Sequence, residues 1–213
     1  MNALNDIIIQ FESALLNLDR LKAQQILESV ENTPPIELVG QIVVPALERI
    51  GNEWQEGNLA LSQIYMSGRI CERLIDVLLP PSSEQRKYQP KMGIAVLDDF
   101  HFLGKRIVHS HIRSAGFEIK DYGRKTVDEL VSSINEDNME IVFISTLMYP
   151  SALHIKQVKE KLDDVAPHVK IIVGGAPFNL DNQLWQQVGA DAMGHDGGEA
   201  ILYINNFMKE KYE

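Results

Sequence analysis

The hydrophobic pattern of the chain changes near its middle, and this change most restricts the possible fold. Before residue 80, apolar residues recur at three- and four-residue steps, which is typical of amphipathic helices. After residue 90, short apolar runs alternate with helical stretches, which indicates βα units. The segment 80–90 is polar, proline-rich and aperiodic, as expected of a linker. The sequence therefore predicts a helical domain over 1–80, a linker over 81–90 and an α/β domain over 91–213.

Four amphipathic helices are predicted in the first domain, and helices joined by short turns typically pack as a bundle. Asp19 is the expected N-cap of the second helix. The third begins at Pro34 and ends at Gly57, with a kink at Pro45, because proline lacks a backbone donor and clashes with the preceding turn. The fourth is predicted over 59–79.

Five βα units predict a flavodoxin-like (Rossmann-type) parallel sheet of order 2-1-3-4-5, covered by helices on both faces. The strands are predicted at 92–97, 118–122, 141–145, 170–173 and 191–193. The helices are predicted at 103–115, 126–136, 151–165, 180–188 and 198–210. Such sheets bind ligands beyond the carboxyl ends of their strands, at the switch between strands 1 and 3. Function is therefore expected in the loops after Leu97, Ile144 and Val173.

Composition and charge exclude several classes of protein. The 213 residues carry 20 Lys and Arg against 30 Asp and Glu, a net charge of −10, and no basic cluster for nucleic acid. The single cysteine, Cys71, excludes an intrachain disulfide and a two-cysteine zinc site. No apolar run reaches the roughly 18 residues of a membrane span, and the first ten residues do not resemble a signal peptide. A cytoplasmic protein without membrane or nucleic-acid partners is expected.

The loops that follow the strands lack the common phosphate and nucleophile motifs. GxxxxGK[ST], GxGxxG and GxSxG are absent, and the loop after strand 1 is too acidic and aromatic for a flavin phosphate. A receiver-type phosphoacceptor would need an aspartate at the end of strand 3, where Ser145 stands. The remaining feature is His101, with Asp99 two residues before it and Gly104 three residues after it.

This histidine is a candidate metal ligand. An imidazole can bind a metal through one nitrogen while its other N–H donates to an acceptor, and Asp99 is placed to be that acceptor. Gly104 would let a flat ligand approach the backbone. A single protein ligand suffices for a metal that arrives inside a macrocycle. These residues leave open the alternative that His101 only caps the helix starting near Leu103.

Three motifs together resemble a known signature. The string DFHFLGK over 99–105, STL over 145–147 and GG over 174–175 resemble the cobalamin-binding pattern DxHxxG…SxL…GG. That pattern belongs to methionine synthase, to base-off/His-on mutases and to the corrinoid proteins of anaerobic methyltransferase systems. The segment 45–57, PALERIGNEWQEG, resembles the helical cap of methionine synthase and corrinoid proteins. The resemblance spans essentially the whole chain and implies cobalamin as cofactor.

The resemblance also implies roles for individual residues. His101 would be the lower axial cobalt ligand in place of the cofactor's own dimethylbenzimidazole, with Asp99 as its hydrogen-bond partner. Ser151 would complete a His-Asp-Ser relay. Gly104 lies in the same motif, where the corrin approaches the backbone. Phe102 departs from the family pattern, because many relatives carry an aspartate at this position.

Further residues would surround the displaced nucleotide tail. Ser145 would contact the dimethylbenzimidazole, and Leu147 would line its pocket. Gly174 and Gly175 would let the tail pass close to strand 4. Two more positions in these loops belong to the implied cofactor site, namely Tyr149, where relatives often have a small hydroxyl residue, and Ala176. In the cap, Trp54, Tyr65 and Met66 would cover the upper corrin face, unless they are simply bundle core.

The implied function is that of a corrinoid methyl carrier, which is a component of a multi-protein methyltransferase and not a complete enzyme. A substrate methyltransferase, expected to be an O-demethylase for methoxylated compounds, would load the cobalt. A second methyltransferase would pass the methyl group to tetrahydrofolate or a thiol, and a corrinoid-reactivating protein is a further implied partner. The cap would move about the linker to expose the cobalt. The alternatives are a cobalamin-dependent sensor or regulator and the small cobalamin subunit of a mutase.

Overall fold

The structure is a computed structural model that describes residues 3–30, 32–78 and 89–212. The chain divides into two compact units, one within residues 1–88 and 110–117 and the other within 89–109 and 118–213. Most of the predicted linker lies outside the described residues, so the predicted domain boundaries and the hinge stay predictions. Within the described residues, no helix is both long enough and apolar enough to cross a membrane.

The first unit is helical, as predicted. Its helices are α1 (Ala3–Leu16), α2 (Arg20–Glu28), α3 (Pro35–Leu38), α4 (Val44–Gln55) and α5 (Leu61–Leu78). Asp19 caps α2, because its carboxylate accepts the backbone N–H of Lys22 at 2.9 Å. Gly57, with a φ of +82°, follows α4 in a left-handed conformation that suits glycine.

A local widening of the helix lies just before Pro45, where a kink was predicted. The segment Val39–Val43 forms one π-helical turn between α3 and α4. Pro45 is the second residue of α4, and the π turn runs directly into this helix. The π turn changes the hydrogen-bonding partners just before the proline, and such turns commonly disturb regular helices in this way.

The core of the first unit is made of large aliphatic and aromatic side chains that are under 2% exposed. They are Phe11, Leu15, Leu27, Ile42, Ile50 and Ile75. Cys71 lies among the buried residues of α5, and burial raises the pKa of its thiol far above the ordinary value.

The second unit contains the predicted five-stranded parallel sheet, in the predicted order β2-β1-β3-β4-β5. The strands are β1 (Met92–Leu97), β2 (Lys120–Lys125), β3 (Ile141–Ser145), β4 (Lys170–Gly174) and β5 (Ala192–Met193). Every residue of β1 is buried, as expected of a central parallel strand covered on both faces. The edge strand β2 begins two residues later than predicted.

Seven helices connect and cover these strands in the described residues. They are α6 (Leu103–Ser114), α7 (Val127–Glu136), α8 (Tyr149–Leu153), α9 (Ile155–Val165), α10 (Ala176–Leu180), α11 (Leu184–Gln187) and α12 (Gly197–Tyr212). The single helix predicted over 151–165 is interrupted at His154, which ends α8 and precedes α9. The single helix predicted over 180–188 was wrong, since α10 ends at Leu180 and α11 starts four residues later.

The sheet register brings the predicted loops together. Val96 pairs with Ser145 across β1 and β3, and Ser145 pairs with Gly174 across β3 and β4. The three strands therefore end at the same level, and the loops that follow them lie side by side at the carboxyl edge.

Candidate functional site

Asp99 is the centre of the hydrogen bonding at this edge. Its side chain is 1% exposed, and both carboxylate oxygens accept hydrogen bonds. Oδ2 accepts the backbone N–H groups of Leu147 at 2.7 Å and Met148 at 3.0 Å, which lie in the loop after β3. Oδ1 accepts the backbone N–H groups of Phe100 at 2.6 Å and His101 at 3.2 Å. One carboxylate thus joins the loops after β1 and β3.

These contacts keep Asp99 ionised. Burial favours the neutral acid, but the hydrogen bond with His101 and those from the backbone of Leu147, Met148 and Phe100 outweigh it. The pKa of Asp99 therefore lies well below its ordinary value. The site contains a fixed negative charge whose acceptor positions all face donors.

His101 lies against this carboxylate. Its Nδ1 is 2.5 Å from Asp99 Oδ1, and its side chain is 55% exposed. With Nδ1 bonded to the carboxylate, Nε2 is the ring nitrogen that can bind a metal, and the carboxylate orients the ring. The helix α6 starts at Leu103, whereas the ring of His101 contacts Asp99, so the geometry supports the ligand interpretation over simple capping.

Backbone packing requires glycine at two of the three glycine positions along this edge, and not at the third. A Cβ on Gly175, whose φ is +114°, would lie 1.9 Å from the carbonyl oxygen of Thr146, and one on Gly174 would lie 2.8 Å from that of Gly194. Backbone packing therefore requires both. A Cβ on Gly104 would meet only Ser145 Oγ, at an ordinary 3.6 Å. The packing of the chain does not explain a glycine at 104, which is consistent with close approach of a ligand.

The remaining predicted residues lie along the same edge. Ser145 is half-buried at the end of β3, and Ala176 is half-buried at the start of α10. Leu147 and Tyr149 are about half exposed, at 44% and 51%. Trp54 and Tyr65 of the helical unit are partly buried and Met66 is exposed, and their predicted contact with a corrin stays a prediction.

Ser151 does not bond to Asp99 in this structure. Its hydroxyl donates instead to the backbone carbonyl oxygen of Asp98, at 3.0 Å. The carboxylate of Asp98 is 3.0 Å from Nδ1 of His154. The relay role of Ser151 therefore stays a prediction, and Asp98 and His154 are additions that sequence reasoning missed. The spacing of three between Ser151 and His154, within a predicted helix, was the available signal.

The exposed aromatic side chain beside His101 is also held. Phe100 is 73% exposed, and the guanidinium of Arg124, at the end of β2, lies 4.4 Å from its ring centre. Such a cation–π contact restrains an otherwise mobile ring.

The donor set fits one kind of metal group. No cluster of three His, Cys, Asp or Glu side chains that could hold a bare metal ion occurs in the described part of the chain. One imidazole, oriented by a buried carboxylate, fits a metal that brings its other ligands with it, and Gly104 and the exposed apolar loop fit a broad, flat group. The fold and the donor set therefore define a flavodoxin-like protein whose sheet edge fits a metal macrocycle.

Comparisons with known proteins identify the family. A family model described as "B12 binding domain" matches residues 91–203, and a second model of the same description matches residues 7–79. The chain belongs to the B12-binding domain family, and a corrinoid is its cofactor. This confirms the cofactor that the three loop motifs predicted.

Curated relatives match nearly the full length. The chain is 26% identical over 214 residues to "Trimethylamine corrinoid protein 2" of Methanosarcina mazei, covering 96% of this chain and 97% of that protein. It is 29% identical over 195 residues to "Dimethylamine corrinoid protein 3" of Methanosarcina acetivorans, covering 84% and 88%.

Solved structures share the fold. A cobalamin-binding protein from Desulfitobacterium hafniense superposes with a TM-score of 0.77 at 22% identity, covering 97% of this chain and 99% of that one. A chain of the methanol:cobalamin methyltransferase complex of Methanosarcina barkeri superposes with a TM-score of 0.70 at 19% identity, covering 96% and 80%. The predicted combination of a flavodoxin-like sheet and a helical N-terminal domain is thereby confirmed.

Proposed function

We propose that this chain is a corrinoid methyl carrier in which His101 is the lower axial ligand of the cobalt. The observation that carries the proposal is the contact of 2.5 Å between His101 Nδ1 and the buried carboxylate of Asp99. It directs Nε2, the metal-binding nitrogen, away from the carboxylate. When bound, the corrinoid supplies a cobalt centre that accepts a methyl group and gives it up again.

The residues of the chain bind and orient this group. Asp99 holds the ring of His101 and supplies a permanent negative charge next to it. The backbone of the loop after β3 fixes Asp99 in turn, through the N–H groups of Leu147 and Met148. A histidine held in this way loses little conformational entropy when it binds a metal, which favours tight ligation.

The residues around Gly174 and Gly175 are proposed to accept the nucleotide tail. The tail contacts Ser145 and Leu147 in this proposal, with Tyr149 and Ala176 at the rim. Ser145 and Gly174 are paired across β3 and β4, so they lie at one place on the edge. This is the position at which open α/β sheets generally bind ligands.

The partners and the methyl donor belong to the same proposal. A carrier of this kind receives its methyl group from a substrate methyltransferase and gives it to a second methyltransferase acting on tetrahydrofolate or a thiol. The sequence resemblance suggested a methoxylated compound as donor, whereas the curated relatives are named for trimethylamine and dimethylamine. The donor assay must therefore compare both classes.

Ligation is tested by loading the full chain with hydroxocobalamin and recording its absorption spectrum. The wild type is expected to give a base-off/His-on spectrum, which His101→Ala loses. His168→Ala is the matched control, because His168 is exposed in the turn between α9 and β4. Equal spectra and equal affinity in wild type and His101→Ala would contradict the proposal.

The carrier role is tested by methylation of the loaded chain. The holoprotein is incubated in turn with purified methyltransferases for methylamines, methanol and methoxylated aromatic compounds, each with its substrate. One pairing is expected to change the cobalt absorption in proportion to the substrate consumed. If no pairing methylates a chain that binds the corrinoid through His101, the carrier role is refuted while the ligation stands.

A further inference from the structure

Asp98, the residue between β1 and Asp99, is held by three different segments of the chain. Its backbone N–H donates to the carbonyl oxygen of Lys125 at 3.0 Å. Its carbonyl oxygen accepts the hydroxyl of Ser151 at 3.0 Å, and its Oδ2 lies 3.0 Å from Nδ1 of His154. These partners lie at the end of β2, in α8 and at the junction of α8 and α9, so Asp98 is fixed from three sides.

The backbone of Asp98 adopts a conformation that needs such support. Its φ is +45°, in the left-handed region that residues with a side chain rarely adopt, although Asp and Asn do so more often than others. Unfavourable backbone angles persist where the surrounding contacts over-determine them. The chain turns at this residue directly after a fully buried strand, and the next residue is Asp99. Contacts that hold Asp98 therefore also set the direction from which Asp99 enters the site.

Ser151 and His154 both contact Asp98 and together hold this turn. They are three residues apart, and positions with that spacing lie on the same face of a helix. Ser151 bonds to the backbone of Asp98, and His154 contacts its side chain. Two neighbouring carboxylates thus each hold one imidazole, His154 on Asp98 and His101 on Asp99.

We propose that His154 is a positioning residue of the corrinoid site, which acts through Asp98. By holding the carboxylate of Asp98, it keeps the turn in its left-handed conformation and places the carboxylate of Asp99 against the ring of His101. The inference rests on the proposed function, because ligation by His101 is the property that it tunes. A histidine that only stabilised the fold would leave the ring of His101 and the spectrum of the cofactor unchanged.

Two variants of His154 separate these roles. His154→Leu removes the ring nitrogen, whereas His154→Asn places an amide N–H donor near the position of Nδ1. His168→Leu is the control for loss of an exposed histidine. Thermal unfolding of each apoprotein establishes that the variants are folded before they are compared.

The full chain is titrated with hydroxocobalamin, and affinity and absorption spectrum are recorded. His154→Leu is expected to weaken binding roughly tenfold, the low end for losing a direct partner of a metal ligand, because His154 acts only through Asp98. It is also expected to reduce the His-on fraction. His154→Asn is expected to recover affinity to within about twofold of the wild type, and His168→Leu to match it. A folded His154→Leu with wild-type affinity and spectrum would overturn the inference.

A second background tests whether the effect passes through Asp98. Glycine adopts the left-handed conformation without support, so Asp98→Gly removes the need for His154. The effect of His154→Leu is therefore expected to shrink to less than about twofold in the Asp98→Gly background. Fully additive effects of the two substitutions would overturn the proposed route.

Nitrogen NMR of the apoprotein keeps this inference separate from the proposed function. The ring nitrogens of His101 are expected to shift in His154→Leu and to return towards wild type in His154→Asn. An unchanged Nδ1 resonance in His154→Leu would overturn the positioning role even if the wild type failed to bind the corrinoid. A wild type that binds without a His-on spectrum would instead overturn the ligation by His101.

Discussion

Replacing Asp99 with asparagine changes one atom and breaks the donor–acceptor pattern of the site. Both carboxylate oxygens face only donors, which are four backbone N–H groups and the ring of His101. Asparagine offers one acceptor oxygen and one NH₂ group. If the oxygen remains under the N–H groups of Leu147 and Met148, the NH₂ group faces His101. The ring can then accept at Nδ1 only by carrying its proton on Nε2, and a protonated Nε2 cannot bind cobalt.

The cost to stability follows from the same count. Two backbone N–H groups, those of Phe100 and His101, lose their acceptor, and a hydrogen bond to a charged group contributes about 1.5–3 kcal/mol. The bond from His101 is long, at 3.2 Å, and both residues are exposed, so water can replace part of the loss. We expect the free energy of unfolding of apo Asp99→Asn to fall by about 2–4 kcal/mol.

Urea unfolding of the apoprotein and the spectrum of the hydroxocobalamin complex together check this prediction. The matched control is Asp98→Asn, the same substitution one residue earlier, since asparagine tolerates a left-handed conformation and can still accept from His154. The free energy of unfolding of apo Asp98→Asn is expected to stay within about 1 kcal/mol of the wild-type value, and the variant is expected to keep the His-on spectrum. If Asp99→Asn lay within about 0.5 kcal/mol of the wild type and kept that spectrum, the reasoning would be refuted.

Three further predictions concern the rest of the chain. Gly175→Ala is expected to lower the free energy of unfolding in urea by about 3 kcal/mol or more, because its Cβ would lie 1.9 Å from a backbone oxygen. The control Gly123→Ala, at φ +70° in open space, should lower it by only about 1 kcal/mol. Burial opposes ionisation of Asp121, but the hydrogen bond from the buried Lys105 lowers its pKa below the ordinary 3.8. The ionised Asp121 therefore stabilises the fold above that value, and this contribution is lost as pH falls below it. The free energy of unfolding of Asp121→Asn, measured against pH, should lack this acid-dependent loss. The thiol of Cys71 is buried with a raised pKa, so it should react with a disulfide reagent only at the rate of unfolding.

The sheet was predictable because its central strands are continuous apolar runs. The predicted bounds of strands 1 and 3 match β1 and β3, which are buried along nearly their whole length. The edge strand β2 has mostly exposed or half-buried residues, so its apolar neighbours Phe117 and Ile119 drew the prediction two residues early. The break at His154 escaped prediction because the pattern of apolar residues continues through it.

The candidate site could be predicted only as far as local spacing reaches. Asp99 and His101 are two residues apart, and the structure pairs them as the spacing suggested. The contact between Asp98 and His154 joins residues 56 positions apart, so local spacing could not reveal it. Asp99 also accepts the backbone N–H groups of Leu147 and Met148, and backbone donors cannot be recognised from residue types in a sequence.

The shared bonding of Asp98 and Asp99 has a consequence for how this edge can vary. Each of the two carboxylates fastens the turn after β1 to the segment after β3, so neither segment can gain or lose a residue without misaligning the other. The two stretches are therefore expected to change in length together. Exposed side chains outside these contacts, such as Phe100 and Tyr149, can vary without breaking them.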